Sequence, residues 1–266
     1  ALRGRQLTLK MPSSEVGILK EVVTTNVYGF LPGSGCSLRA NDVVLDIGAH
    51  VGIAACLALR SEGVRVVCVE PHPVTFELLS QNLAPHIEAG NAKVLNAAVA
   101  DAVATRGLFA HSGTNAPSRL YFSSLFSTRP HADETISVSC LPMQDLVNVH
   151  EPTVIKIDAE GAERFLASVS DFRRVRLLVV EWDWTHNRNK REWLSTEAHL
   201  AQHGFTVDVL GRMPDFDESG VANLHAPNGK KRGSTGMIFR ASRAVPLEGV
   251  VGVPGSVESA IAKPAV

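Results

Sequence analysis

Asp46, Gly48 and Gly52 stand in the segment Val43-Val44-Leu45-Asp46-Ile47-Gly48-Ala49-His50-Val51-Gly52, where an apolar run passes into a turn of small residues and then into a helical pattern. Small residues in such a turn let the backbone come close to a ligand, and the start of the next helix offers unsatisfied N–H groups. A dinucleotide fingerprint, G-x-G-x-x-G, would have glycine at position 46, whereas this chain reads D-x-G-x-x-x-G. The carboxylate puts a negative group where a pyrophosphate would sit. It suits a ligand with cationic or hydroxyl donors, such as the amino-acid part of S-adenosylmethionine. Read as plain structure, the segment is a turn with a helix-capping aspartate. A second acidic residue, Glu70, closes Val66-Val67-Cys68-Val69-Glu70-Pro71. It lies roughly 20 positions past the turn, where a carboxylate holds a ribose diol by paired hydrogen bonds. Alone, Glu70 would be a solvated strand end.

These residues need a scaffold, and the apolar pattern supplies one. Residues 1–40 read as an irregular lead-in that caps the core, punctuated by Pro12, Gly29, Pro32, Gly33 and Gly35 around short apolar pieces such as Val22, Val23, Val27 and Tyr28. The core unit is expected over 41–240: strands at 43–47 and 64–69, helices near 52–61 and 74–83, and a strand at 93–98. Then come a polar insertion at about 101–135, strands near 136–140 and at 154–157, and a helix near 161–169. A strand at 177–180, a helix near 191–203 and β-like segments at 205–210 and 237–240 complete it. Runs such as Leu177-Leu178-Val179-Val180 do not alternate with polar residues, as suits strands buried on both faces. The fold class that follows is α/β, a Rossmann-like, doubly wound, mostly parallel sheet with helices on both faces. Residues 241–266, rich in Val, Ala, Pro and Gly, read as a flexible tail.

Composition narrows the partners. The chain has 266 residues with 26 basic against 27 acidic, so nothing draws it in bulk to phosphate backbones, although Lys230, Lys231 and Arg232 form a local basic run. Cys36, Cys56, Cys68 and Cys140 are widely spaced without a CxxC pair, which suggests buried reduced thiols in a cytosol-like compartment. No apolar run approaches the ~18 residues that span a bilayer. The chain begins at Ala1 rather than Met, as expected of a processed, trimmed or excerpted sequence.

A second signature narrows the chemistry. The turn Asp46 to Gly52, then Glu70-Pro71-His72-Pro73 with Phe76 and Asn82, then Ile155-Lys156-Ile157-Asp158-Ala159-Glu160-Gly161-Ala162-Glu163, resembles the FkbM family of S-adenosylmethionine-dependent methyltransferases over about residues 41–184. His50 stands where the family usually has Asn, a departure at the methionine end of the pocket. The resemblance implies that Asp46, Gly48, Ala49, His50 and Gly52 surround the methionine part of the cofactor and that Glu70 holds the ribose. Asn96 and Ala97, with Asp101 beyond them, would lie near the adenine. The cofactor would leave as S-adenosylhomocysteine.

Methyl transfer from a sulfonium is an in-line displacement, so the protein aligns the acceptor and takes a proton if that acceptor is a hydroxyl. Asp158, ending the strand at 154–157, is expected at the edge facing the sulfonium as base or acceptor-orienting group. Glu160 and Glu163 open the following helix, where the dipole alone would favour them. Either could instead hold an acceptor hydroxyl or, with Asp158, a divalent metal. Glu181-Trp182-Asp183-Trp184-Thr185-His186 follows the strand at 177–180 and reads as an acceptor wall. Trp182 and Trp184 would stack on a flat acceptor, and His186 or Glu181 would serve as a further catalytic group. Should Mg²⁺ be present, Asp158 and Glu181 are the oxygen ligands expected. Core packing for the indoles and a surface place for His186 are the plainer readings. Ser112, Thr114, Ser123, Ser124 and Arg129, and the loop with Asn228, Gly229, Lys230, Lys231 and Arg232, would flank the same edge as substrate-selecting lids.

The function expected is O-methylation of a small-molecule, sugar or glycan hydroxyl. RNA methylation would call for a basic surface or an added RNA module. A nicotinamide dehydrogenase is disfavoured by Asp46, and a silent module that binds the cofactor without chemistry is a further alternative.

Overall fold

The computed structural model describes residues 9–13, 16–31, 37–110, 124–125, 134–187, 189–210, 213–223 and 236–244. Cys36, Ser112, Thr114, Ser123, Arg129, the Asn228 to Arg232 loop and most of the expected tail fall outside them.

Seven strands form the main sheet: β1 (Val43–Ile47), β2 (Arg65–Val69), β3 (Ala92–Leu95), β7 (Val154–Ile157), β8 (Leu177–Asp183), β9 (Thr206–Val209) and β12 (Gly236–Ser242). Their order is β3-β2-β1-β7-β8-β12-β9. The first five run parallel, and β12 lies antiparallel between β8 and β9. Side chains alternate across each strand, and both faces are covered. Leu45, Ile47, Val69, Ile155, Ile157, Leu178 and Val180 join one core, while Val44, Val66, Cys68, Val154 and Val179 join the other. This is why the strand sequences read as apolar runs, with Asp46 and Lys156 as paired exceptions in β1 and β7. Three helices, α1 (Val16–Thr25), α2 (Ile53–Ala58) and α3 (Pro73–Glu88), contribute to the second core. The first is covered by α4 (Met143–His150), a 3₁₀ helix (Ala162–Ser168) and α5 (Lys190–Gln202). Cys56, Cys68 and Cys140 are buried free thiols. Among the described residues, no helix is long and apolar enough to cross a membrane.

Four elements depart from the sequence reading. The lead-in contains α1, whose Val22 is buried on α2's side of the sheet. Flanking breakers and Gly17 hide its period. The strand expected at 93–98 breaks into β3 and β4 (Ala98–Ala100), because Asn96 turns aside and donates its side-chain amide to the carbonyls of Glu70 (2.9 Å) and Pro71 (3.1 Å). β4 then pairs with β6 (Glu134–Pro142), which also pairs antiparallel with β5 (Ala104–Ala110) in a second, three-stranded sheet. Helix α4 was not expected: eight residues with Met143, Leu146 and Val147 buried give too short a periodic signal. The helix after β7 is 3₁₀ rather than α. A two-stranded ribbon, β10 (Asp215–Phe216) and β11 (Ala222–Asn223), completes the described elements.

Candidate active site

β1 is where the sheet order reverses, with β2 and β3 on one side and β7 and β8 on the other. Crossovers leaving such a strand diverge, and a crevice opens at the carboxyl ends. The glycine turn starts there. Its Gly48 and Ala49 N–H groups donate to the Val69 carbonyl at 3.0 and 3.1 Å, which ties the turn to β2. Gly48 has φ 74, and a Cβ on it would stand 1.8 Å from the Asp158 carbonyl oxygen. Close approach of the loop after β7, rather than of a ligand, therefore demands glycine here. Gly52, with φ 90, packs in the same way against Leu79 of α3. His50 has φ 53, a left-handed conformation that His tolerates as Asn does. Burial, helped by the charges of Lys156 and His72, pushes its imidazole down to about 4, so the ring is neutral at physiological pH.

Glu70 closes β2 beside this turn. Its Oε2 accepts from the His50 N–H at 2.9 Å, and its Oε1 accepts from the His72 N–H at 2.9 Å and the Thr75 hydroxyl at 3.2 Å. One carboxylate thus joins the glycine turn to the start of α3, where His72 caps the helix through Nδ1 and Pro73 takes the first position. Burial raises the carboxyl to about 7, against the three hydrogen bonds that favour the anion.

Asp46 lies behind the turn, 0% exposed. It faces Lys156 directly across the β1–β7 register, with Nζ 3.0 Å from Oδ1, and neither carboxylate oxygen has an aligned hydrogen-bond donor. Burial raises the Asp46 carboxyl above its usual range. It would also lower Lys156, but Asp46, Asp158 and Glu181 outweigh it and keep the ammonium charged. That ammonium donates to the Gly48 carbonyl at 2.8 Å and lies 3.9 Å from Asp158. Asp158, with its side chain 34% exposed, accepts at Oδ2 from the Tyr28 hydroxyl at 2.6 Å. Burial, then Asp158, raise the phenol well above its ordinary value, so it keeps its proton and donates.

Next to the crevice, a cavity is lined by Ile47, Gly48, Val69 and Pro71 from β1 and β2, Ala97, Ala98 and Val99 around β4, and Leu108, Ser124, Leu125, Ala159 and Ala162. Its walls are mostly apolar and sit at the carboxyl ends of the strands, on either side of Glu70. Ala97 lines it. Asn96 spends its amide nitrogen on bracing the end of β2. Asp101 is exposed, pairs with Arg106 and does not line the cavity, so the structure does not bring it to the site.

Residues 46–207 match the model of the methyltransferase FkbM domain. The chain belongs to the FkbM methyltransferase family. It is 29% identical over 218 residues to the 31-O-demethyl-FK506 methyltransferase FkbM of Streptomyces tacrolimicus, covering 71% of this chain and 81% of that one. It is 25% identical over 221 residues to methyltransferase sdnD of Sordaria araneosa, with 71% and 82% covered. Among solved structures, a precorrin-6y C5,15-methyltransferase from Geobacter metallireducens aligns with a TM-score of 0.39 and 14% identity, over 91% and 92% of the two chains.

The FkbM match takes in the acidic and aromatic residues after β7 and β8, and the structure sorts them. Trp182 and Trp184 are 0% and 2% exposed. They pack with Trp193, with ring centroids 5.5 and 6.4 Å from it, and present no face to an acceptor. The stacking role is corrected: parity along β8 turns Trp182 into the core with Leu178 and Val180. Glu163 is fully buried and accepts from the N–H groups of Ala159 (3.2 Å) and Gly161 (3.0 Å) and from the Asn187 amide (2.5 Å). It pins the loop after β7 rather than reaching an acceptor. Burial, then Asp183, raise its carboxyl to about 8. Glu181 stands on the opposite face from Trp182, within electrostatic reach of Tyr28 and Lys156. His186 is not a surface residue: its side chain is 4% exposed and its Nδ1 bonds Asp183. Burial alone would raise Asp183, but the hydrogen bond and charge of His186 hold it down at about 2. Among the described residues, Glu160, Asp183 and His186 form a group of three metal-ligating side chains, and Asp158 and Glu181 belong to no such group of three or more.

Tyr28 was not among the expected site residues, and Asp183 was expected only as part of the acceptor wall. Tyr28 reaches Asp158 across 130 positions, which no local spacing reports. The one available hint for Lys156 was a lysine inside an otherwise apolar strand.

Proposed function

We propose that this methyltransferase uses S-adenosylmethionine and methylates a hydroxyl of a small molecule, sugar or glycan. The observation that carries the reading is the Glu70 carboxylate, buried at the end of β2 between the glycine turn and α3, with Val69 and Pro71 on either side of it lining the cavity. A carboxylate so held can accept from both hydroxyls of a ribose, and the apolar cavity beside it suits a flat purine. The residues therefore fit the cofactor. When bound, it supplies an electrophilic methyl group.

Gly48, Ala49, His50 and Gly52 shape the turn against the methionine part, Glu70 orients the ribose, and Ala97 bounds the purine slot. Asp158 takes or orients the acceptor hydroxyl proton. Tyr28 occupies its Oδ2 and Lys156 sets the local positive field, so the carboxylate is fixed before the acceptor arrives. Transfer to oxygen is favoured by the relative from Streptomyces tacrolimicus, whose name specifies a 31-O-demethyl compound.

Calorimetric titration with S-adenosylhomocysteine and with NAD⁺ tests the cofactor. Saturable binding of the first alone is expected, and binding of NAD⁺ in its place would overturn the reading. Asp158→Asn is expected to keep the cofactor affinity within about threefold while lowering labelled methyl transfer to a pool of hydroxylated acceptors about 10²-fold or more.

A further inference from the structure

Glu160, Asp183 and His186 bring two carboxylates and an imidazole together, with ligand atoms all within 4.8 Å of one another. Glu160 comes from the loop after β7, Asp183 from the end of β8 and His186 from the turn that follows it. The His186 ring is 4% exposed, and its Nδ1 lies 3.5 Å from Glu160 Oε2 and bonds Asp183 Oδ2. Its Nε2, also buried, has no hydrogen-bond partner among the described residues.

The backbone around the three is held from outside. Ser124 Oγ donates to the Glu160 carbonyl at 2.6 Å, Arg164 donates to the His186 carbonyl, and the Thr185 N–H holds Asp183 Oδ1 at 2.8 Å, leaving Oδ2 for the imidazole. Such outer contacts orient ligating groups. Glu160 and Asp183 bring two carboxylates to one small volume, and the fully buried Glu163 lies beside Asp183 with its carboxyl raised toward the protonated form. The adjacent guanidinium of Arg164 spends its bonds on Gly161, Asn187 and His186 oxygens, with Glu192 at 4.0 Å. Donors around one ion at about 2.0 to 2.2 Å stand roughly 3 to 4 Å apart, a spacing this cluster reaches with small side-chain rotations.

We propose that Glu160, Asp183 and His186 bind a divalent transition-metal cation of the Mn²⁺ type. The imidazole favours a transition metal over Mg²⁺ or Ca²⁺, and the carboxylates favour a harder ion than Cu⁺. Three protein ligands leave coordination positions open. Ala159, which precedes Glu160, and Ser124, which holds it, line the cavity, so the cation would border it. Any part it plays in the reaction rests on the proposed methyl transfer; cation binding does not.

The test is titration of the metal-stripped full chain with Mn²⁺, following the free-ion electron paramagnetic resonance signal. The same samples are titrated calorimetrically with S-adenosylhomocysteine. One bound Mn²⁺ per chain is expected, weakened about tenfold or more in Asp183→Asn and in His186→Ala. Glu160→Gln, at a side chain 21% exposed, is the variant least prone to unfold, and it is expected to weaken binding by a similar factor. Binding absent in the wild type, or equal in all three variants, overturns the site. Mn²⁺ binding in a protein that ignores S-adenosylhomocysteine leaves the cation site standing and sinks the cofactor reading instead.

Discussion

Replacing Glu70 by Gln removes one charge and keeps the shape. Both Glu70 oxygens accept from N–H groups, His50 on one side and His72 on the other, and Oε1 also takes the Thr75 hydroxyl. Whichever way the amide turns, its NH₂ meets a backbone donor at 2.9 Å, so at least one N–H loses its acceptor. An unsatisfied buried donor costs about 1 to 3 kcal/mol. Loss of the charge-assisted bonds to a ribose diol removes about as much from binding, a factor of roughly 5 to 150 in Kd. The pH dependence carries the sharper signature. The Glu70 carboxyl is raised from 4.5 to about 7. A raised acid contributes stability that is complete below 4.5 and is lost as pH rises through about 7, while the anion that accepts from ribose is gained over the same interval. The wild-type affinity for S-adenosylhomocysteine should therefore rise by up to about tenfold per pH unit from pH 5.5 to 7 and level off above, while the melting temperature drifts down. Calorimetry at several pH values on wild type and Glu70→Gln reads both. A wild-type Kd flat across that range, or a Gln variant that binds within twofold of wild type, would refute the assignment of Glu70 to the ribose.

Gly48→Ala should destabilise the chain by about 3 kcal/mol or more, since the methyl group meets the Asp158 carbonyl and φ is positive; Gly90→Ala, at φ 76 with open space around it, should cost only about 1 kcal/mol in chemical denaturation. Equal losses at the two positions would contradict the close-approach argument. Trp182→Ala is expected to cost about 3 to 5 kcal/mol with S-adenosylhomocysteine affinity unchanged; a stable variant with a raised acceptor KM would restore the stacking role. Tyr28→Phe removes the donor to Asp158 and should lower kcat while moving cofactor affinity by less than about threefold, and an unchanged kcat would place Tyr28 outside the site.

Much of this was legible in the residues because it is local. β1 and β7 fall on apolar runs, since a strand covered on both faces is apolar at nearly every position; Asp46 and Lys156, buried against each other, are the exceptions. The turn from Asp46 to Gly52 and the carboxylate closing β2 belong to one strand-helix-strand unit, so their spacing survives in the sequence. What the turn's glycine is for did not survive: Gly48 admits the Asp158 carbonyl, which arrives from more than a hundred positions away. The same holds for Lys156, set against Asp46 by the parallel register of β1 and β7, and for Tyr28, carried to Asp158 by packing of the N-terminal segment. Alternation along β8 assigns Trp182 and Glu181 to opposite faces, but only the helices covering those faces decide that the indole is core and the carboxylate is not. Glu160 and His186 were visible singly. Their meeting with Asp183 depends on how two loops end side by side on adjacent parallel strands, and contacts of that kind are set by register and packing rather than by spacing along the chain.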